Sequence, residues 1–530
     1  MSTDICNETS EIHEKYLALV EKVNTAKNEK KIYRFVGCNF KKIKSELRKR
    51  GFIEKRKFRL GSIYYQMPLS LLLNHYEENS KCEQALMSRM IGNCNLGLVW
   101  IWNPRLYDKF IDVPLLNKIK IVGSNFGLKN GLGKCVNKIN WNFDDKIATV
   151  NYPRSYSVID NEEIEDFLID YKLSLACSII IFLHTRSNIR SWFSKSKGMI
   201  YYGGIELALD IVNFFTKKAE GLLSDSDFEI SDKSLLKLER LHNNLVNNHF
   251  KILAGTDRAL QIISKIKYAY TEIKHYWPSR ITIDGFHNIW LLKPSFVGQG
   301  WGIILSNNID RITKQIEKRN KRYIVQKYIE KPLLIHKTKF DLRTYYMITI
   351  SQTHLCAWTH KLSTVKFAAH EFTFTNLNKA VHVTNTSVNR KIKKIHENPL
   401  PENHMWSIDD LIAYFKEIGK ENIWEEQIYP SMQSSLVAVT LASIDNIELK
   451  PGRFELFGCD YLITEDFQMF LLEINRGPSM CYYTPISKYV CGTVMEDVVK
   501  VAIDLQSNPK ADTGGWDKIY EMKLPEKKVS

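Results

Sequence analysis

Asp460, Glu473 and Asn475 are the residues of this chain whose types and spacing speak most directly of chemistry. They lie in FGCDYLI (457–463) and FQMFLLEINRGPS (467–479), two apolar, β-prone stretches separated by Thr464-Glu465-Asp466, a predicted hairpin turn. Alternation puts Glu473 and Asn475 on one face, and closing the hairpin near Asp466 brings Asp460 opposite Glu473. Two carboxylates facing each other across a ladder repel, so the pair calls for a positive charge between them. An Asp, a Glu and an Asn carbonyl are hard oxygen ligands of the kind Mg²⁺ accepts, usually with nucleotide phosphates completing its shell. The competing reading is a hairpin whose acids point into water.

Three other segments bear on that choice. The strand IWLLKP (289–294) delivers Lys293 and runs into SFVGQGWGII (295–304), where Gly298, Gly300 and Gly302 alternate with Gln299, Trp301 and Ile303. Such a flap lets backbone N–H groups approach phosphates, although tight hairpins also use Gly. No Gly-Lys-Ser/Thr follows, which excludes a P-loop, and the next element is a strand, which excludes a dinucleotide fingerprint. YIVQKYI (323–329) reads as a strand opening into a linker before Pro332, and backbone groups around Gln326, Lys327, Tyr328 and Ile329 can meet an adenine edge. In KFDLR (339–343), alternation sets Lys339, Asp341 and Arg343 on one face. That face is either an edge strand with a local ion pair or a grip for polyphosphate and carboxylate. A glycine flap with a lysine, a basic strand and an acidic hairpin together fit phosphoryl chemistry on ATP-Mg.

The elements around these segments follow from periodicity. Residues 1–30 suggest a surface helix with little core of its own, and 31–37 a strand. The stretch 41–59 then carries ten Lys and Arg against Glu46 and Glu54; it is either a solvated face or an acid-binding surface. Residues 91–156 read as strands and loops, and 160–275 as mostly helical. Strands are expected over 289–383, and helices at 407–418, 425–447 and 494–505, before a polar tail from 507. The corresponding units are an N-terminal extension (1–30), a basic N-terminal domain (31–159), a central domain with flap and hinge (160–330), a C-terminal domain with the acidic hairpin (331–506) and the tail (507–530).

With 530 residues, 44% hydrophobic and 25% charged, the chain has an ordinary globular composition. Its net charge of +15 predicts an acidic partner, with nucleic acid, an anionic membrane and an acidic polypeptide all open at this level. Ten scattered cysteines without a CxxC pair fit reduced thiols in a cytosolic protein. The polar N-terminus lacks a signal-peptide core. The apolar run 173–183 is too short to span a bilayer and reads as a buried helix.

The order of these motifs resembles the tubulin-tyrosine-ligase-like family, and within it the tubulin glycylases, over roughly 88–505. Its most specific pieces are LLEINRGPS (471–479), KFDLR (339–343), VQKYIE (325–330) and Lys293-Pro294 with Gly302-Ile303 downstream. The glycylase branch is suggested by SRMIGN (88–93), Phe126 with Lys129, PRSY (153–156), Val365-Lys366-Phe367 and HVTN (382–385). The resemblance implies an α/β fold: an ATP-grasp ligase core of mixed and antiparallel sheets with helices, preceded by a smaller N-terminal domain.

It further implies that Lys129, Lys293 and the flap, Gln299 to Ile303, hold phosphates. Gln326 to Ile329 are then the adenine hinge, and Lys339 and Asp341 contact nucleotide. Arg343, Lys366 and Lys339 form the catalytic group, with Arg343 near the acyl site, and Asp460, Glu473 and Asn475 ligate Mg²⁺ or Mn²⁺. The implied reaction is ATP-dependent ligation of glycine to glutamate side chains of acidic tubulin tails, with polyglutamylation or ATP and tubulin binding without turnover as alternatives. It implies microtubule partners, no nucleic acid or membrane, a monomer, and a cytoplasmic, cytoskeletal location at the axoneme of a cilium or flagellum. This chain departs from the family pattern at Val297, Gln299 and Trp301, where relatives carry basic side chains. It also has Lys366 in place of an Arg and Ala368-Ala369 in place of Ser-Thr.

Overall fold

Thr338–Ile350 is the spine of the molecule: thirteen residues of strand whose apolar positions are buried from Phe340 to Ile350. In the computed structural model, which describes residues 2–123, 125–142, 148–159, 161–224, 230–295, 298, 300–318, 323–392 and 399–525, this strand centres a 12-stranded mixed sheet. One edge of the strand pairs with Thr364–Phe367 at residues 340–343 and with His354–His360 at 346–350. The other edge runs antiparallel to Arg453–Ile463 from Leu342 to Ile350. Arg453–Ile463 in turn forms the predicted hairpin with Met469–Arg476. At Arg453 it also meets the parallel strands Leu115–Leu116, Leu98–Ile101, Ile32–Val36 and Ile53–Glu54. Chain from both ends of the sequence therefore builds one sheet.

The polar composition from 507 onward conceals a strand. Trp516–Lys523 pairs with His354–His360, with Trp516 buried and the charged residues Lys518, Glu521 and Lys523 exposed, as suits a protected edge. Ser2–Asn28 is a helix that buries Leu19, Val23 and Ala26. The helix Pro485–Val499 starts nine residues before the expected 494, at Thr484, whose hydroxyl caps it, and Pro485.

A second sheet, Ile304–Ser306, Trp290–Pro294, Tyr323–Lys327 and Ser155–Ser157, is antiparallel. Between its strands, inside a region expected to be dominated by strands, lies the helix Ile309–Lys318; its buried Ile309, Ile312 and Ile316 follow the helical period. A further helix, Lys129–Asn142, interrupts the region read as strands and loops. The apolar helix Asn161–His184 is long and apolar enough to cross a membrane, yet it is wrapped by Gly203–Ala219, Asp232–Val246 and Thr256–Tyr276 as the core of a helical layer. That layer is pinned to the second sheet by buried ion pairs. Arg154 reaches Asp170 at 2.8 Å and Asp284 at 2.6 Å, and Arg280 reaches Asp170 at 2.6 Å. The PRSY stretch is thus a structural tie.

Half of the ten cations of the basic stretch meet an acid of the chain. The helix Lys41–Lys49 packs on Pro485–Val499, and Lys42 pairs with Glu496 at 2.6 Å, Lys44 with Glu54 at 2.6 Å and Arg50 with Asp504 at 2.7 Å.

Candidate functional site

The hairpin brings Asp460 directly opposite Glu473 and Gly458 opposite Asn475. The register passes through a bulge: Tyr461 pairs with Leu471, which leaves Leu472 as the extra residue. The turn alone, from Ile463 opposite Met469, would align Asp460 with Leu472. The bulge shifts the partner by one and faces the two acids.

Cross-strand pairing continues the pattern sideways. Arg343 lies opposite Asp460, and Asp341 opposite Lys366, so charges alternate along one face of the sheet. Arg343 grips Asp460 bidentately, Nε to Oδ1 at 2.7 Å and Nη2 to Oδ2 at 2.6 Å. Lys366 Nζ donates to Oδ1 at 3.3 Å. Lys339 donates to Asp341 at 2.6 Å, and the Thr384 hydroxyl donates to the other oxygen of Asp341. Burial disfavours the charge on Asp460, but Arg343 and then Lys366 outweigh it and hold the carboxyl well below the usual range. Burial also lowers the Lys366 ammonium, with Arg343 adding to the effect.

Asn475 donates its amide to Glu473 at 2.9 Å and to Asp460 at 3.3 Å. Its NH₂ thus sits between the acids, and its carbonyl oxygen reaches the same spot after a half-turn of the amide.

All of these polar groups except Arg343 and Asn475, which are not on its wall, line a cleft of about 860 Å³, counted to its open mouth, between the two sheets. Lys129, Lys293, Gly300, Ile303 and the hinge residues Gln326 to Ile329 join Lys339, Asp341, Lys366, Asp460 and Glu473 around it. Lys293 is 8% exposed, and its ammonium makes no hydrogen bond among the described residues. Burial pushes it down to about 8, while Glu473 and Asp341 pull the other way. A buried ammonium without an acceptor is a place for an anion. Lys129, at the start of the helix Lys129–Asn142, donates to the Pro294 carbonyl at 3.1 Å and is lowered by burial.

Several expected residues take other positions. Gln299 lies outside the described residues. Trp301 is 60% exposed, and neither it nor Gly302 is on the cleft wall. Gly300 turns the flap at φ +73°, and a Cβ there would meet Asn385 Oδ1 at 2.9 Å, so the flap rests on the 382–385 segment. Lys327 spends its ammonium on Glu330 at 2.9 Å and on the Ile289 carbonyl at 3.1 Å. Its contribution to the hinge is therefore backbone.

Sequence reading did not assign His382 and Thr384 to the site, although both lie in the HVTN stretch. The Tyr328 hydroxyl donates to His382 Nδ1 at 2.9 Å, and His382 Nε2 lies 2.9 Å from the Asn376 carbonyl. Burial pushes His382 down to about 4, so the ring is neutral and the proton sits on Nε2.

The residues present fit a divalent cation with a polyphosphate. Two opposed carboxylates supply hard ligands, and an acceptor-free buried ammonium with two neighbouring lysines supplies the phosphate side. Asp460 and Glu473 would hold the cation, and Lys293 and Lys129 the phosphates.

Comparison with known proteins follows the same line. The family profile described as "Tubulin-tyrosine ligase family" matches residues 228–510. "Tubulin glycylase 3A" of Drosophila melanogaster is 30% identical over 96% of this chain and 53% of its own length. "Tubulin glycylase 3B" of the same organism is 30% identical over 94% of this chain and 67% of its own length. "Tubulin monoglycylase TTLL3" of Mus musculus is 28% identical over 82% of this chain and 50% of its own length. The chain thus spans about half to two thirds of the length of these relatives.

Proposed function

This chain belongs to the tubulin-tyrosine ligase family, and we propose that it is an ATP-dependent tubulin glycylase acting on the acidic tails of tubulin in microtubules, axonemal ones included. The observation that carries the reading is the row Lys366, Asp460 and Glu473 along one wall of the cleft, with Arg343 gripping Asp460 and Lys293 buried beside it. The relatives' names, glycylase and monoglycylase, supply the amino acid.

ATP with Mg²⁺ supplies the phosphoryl group that turns a glutamate side-chain carboxylate into an acyl phosphate. Lys293 and Lys129 neutralise phosphate charge, and Asp460 and Glu473 hold the cation. Arg343, once released from Asp460, and Lys366 present cations to the carboxylate that accepts the phosphoryl group and then to the oxyanion. The glycine amine forms the new C–N bond, phosphate departs with the acyl oxygen, and the amine gives up a proton. The neutral His382–Tyr328 pair keeps the hinge end of the cleft ordered without adding charge.

Offering labelled glycine and labelled glutamate separately, with ATP-Mg and microtubules, tests the reading. Glycine incorporation supports it, glutamate incorporation makes the protein a polyglutamylase, and neither would leave a nucleotide- or tubulin-binding protein.

A further inference from the structure

The catalytic cleft is not the only place with charge to offer. Of the cations on the helix Lys41–Lys49, Lys42, Lys44, Arg48 and Lys49 each meet an acid of this chain. Lys41 meets none among the described residues. It opens onto a trough of about 1100 Å³ between that helix and Pro485–Val499, with Lys42, Lys488, Tyr482 and Tyr489 along its sides. Lys488 is exposed and likewise without an acid, and Glu496 is the one carboxylate on the lining, already held by Lys42 at 2.6 Å. Tyr482 is 51% and Tyr489 60% exposed, an unusual pair of aromatic faces to leave in water.

The trough is tied to the active centre by the chain itself, through the segment 477–482. Beside it lies a smaller hollow of about 320 Å³ lined by Phe40, Trp102, Gly477, Pro478 and Met480. Phe40 adjoins Lys41, and Met480 leads through Cys481 to Tyr482. At the inner end, a Cβ placed on Gly458 would lie 2.7 Å from Pro478 and 3.2 Å from Arg343 Nη1, so Pro478 and Arg343 border one spot. From Gly477 to Tyr482 an extended chain covers at most about 18 Å.

We propose that this trough is a second recognition site, which holds an extended acidic polypeptide whose acceptor glutamate reaches Arg343. Flanking carboxylates face Lys41 and Lys488, and the peptide backbone lies on Tyr482 and Tyr489. Charge complementarity names the occupant: the lining offers two uncommitted ammonium groups, Lys41 and Lys488, beside the Lys42–Glu496 pair, with flat donor-bearing rings between them. The inference rests on the ligase reading for its acceptor chemistry, but the binding it describes does not require turnover.

Fluorescence anisotropy of a labelled glutamate-rich peptide, titrated with the full chain in the absence of ATP and glycine, tests the proposal. Lys41→Glu with Lys488→Glu should weaken binding about five- to tenfold at low salt and flatten its salt dependence. Both side chains are exposed, so the melting temperature should be unchanged. Reversal of Lys233 and Lys237, exposed on the helical layer, should leave the peptide affinity as it was. Equal weakening by the two pairs, or indifference to the Lys41 and Lys488 changes, would overturn the trough. Because neither co-substrate is present, an inactive wild type that still bound through these lysines would sustain the trough and remove only the catalytic reading.

Discussion

Replacing Arg343 with Met should make Mg²⁺ a stabiliser of the fold to a degree it is not in the wild type. The Arg343 and Asp460 side chains are 12% and 11% exposed and share two hydrogen bonds. Breaking a buried pair of this kind by removing one partner costs about 3–5 kcal/mol. Lys366 remains at 3.3 Å as a single weaker contact, so the low end, about 3 kcal/mol, applies. Asp460 and Glu473 then face each other with less positive charge between them, which is the environment a divalent cation favours. A ligand at a hundred times its dissociation constant returns about 2.7 kcal/mol, close to the whole loss. In the wild type the cation must displace the Arg343 guanidinium, so it returns less. Thermal melts of both proteins in EDTA and across a Mg²⁺ series read this directly. A variant whose melting temperature rises with Mg²⁺ no more than the wild type's would refute the assignment of the metal to this pair.

Other expectations follow from the same geometry. Nucleotide binding should take up protons near pH 8, because phosphate restores the charge on Lys293, which burial has pushed down to about 8. Calorimetry in buffers of different ionisation enthalpy should show this uptake, lost in Lys293→Met, and affinity should fall as pH rises above about 8. In the free protein Lys293 works in the opposite sense: the unfolded chain holds its proton up to about 10.4, so the burial penalty is full below about 8 and eases as pH rises between the two values. Asp460 behaves as a depressed carboxyl: its contribution to stability is full above the usual Asp range and is lost as pH falls below it, visible as acid unfolding that Asp460→Asn moves. Glu473→Gln should abolish turnover while leaving the fold intact, because it removes a ligand charge without removing volume; persistence of activity would remove Glu473 from the reaction. Asp170→Asn should cost about 3 kcal/mol in chemical unfolding, the low end for a broken buried pair, since it takes the near acid from Arg280 and leaves Arg154 only Asp284. An unchanged unfolding midpoint would count against the tie between the helical layer and the second sheet.

Alternation made much of the site legible. It set Lys339, Asp341 and Arg343 on one face and brought Asp460 to Glu473, and the structure keeps both arrangements. The bulge at Leu472, on which the second depends, has no signature in the sequence: nothing marks which residue of FLLEIN is the extra one. The hinge reading at Lys327 rested on backbone groups, and its side chain is consumed by Glu330, three residues on, and by the Ile289 carbonyl, which only the fold brings near. The same limit applies to the basic stretch at 41–59. Its ion pairs reach Glu83, Glu496 and Asp504, which only the fold brings near. The strand Trp516–Lys523 was hidden because an edge strand has one face and one edge in water and reads as polar. The helices Lys129–Asn142 and Ile309–Lys318 were absorbed into neighbouring strand signals, although the Ile309, Ile312, Ile316 spacing of the second was there to be counted. Thr384 and His382 went unassigned because their roles act through Asp341 and Tyr328, across a sheet edge that sequence spacing does not reveal.

The central claim is that a glutamate side-chain carboxylate is activated by phosphorylation in this cleft and then captured by glycine. Its most direct test uses an acidic tail peptide labelled with oxygen-18 in its side-chain carboxylates, incubated with the protein, ATP-Mg and glycine. An acyl phosphate transfers one carboxylate oxygen to the departing phosphate, so labelled phosphate should appear in step with glycine-bearing peptide. Glycine addition accompanied by unlabelled phosphate, or labelled phosphate without any glycine on the peptide, would contradict the account.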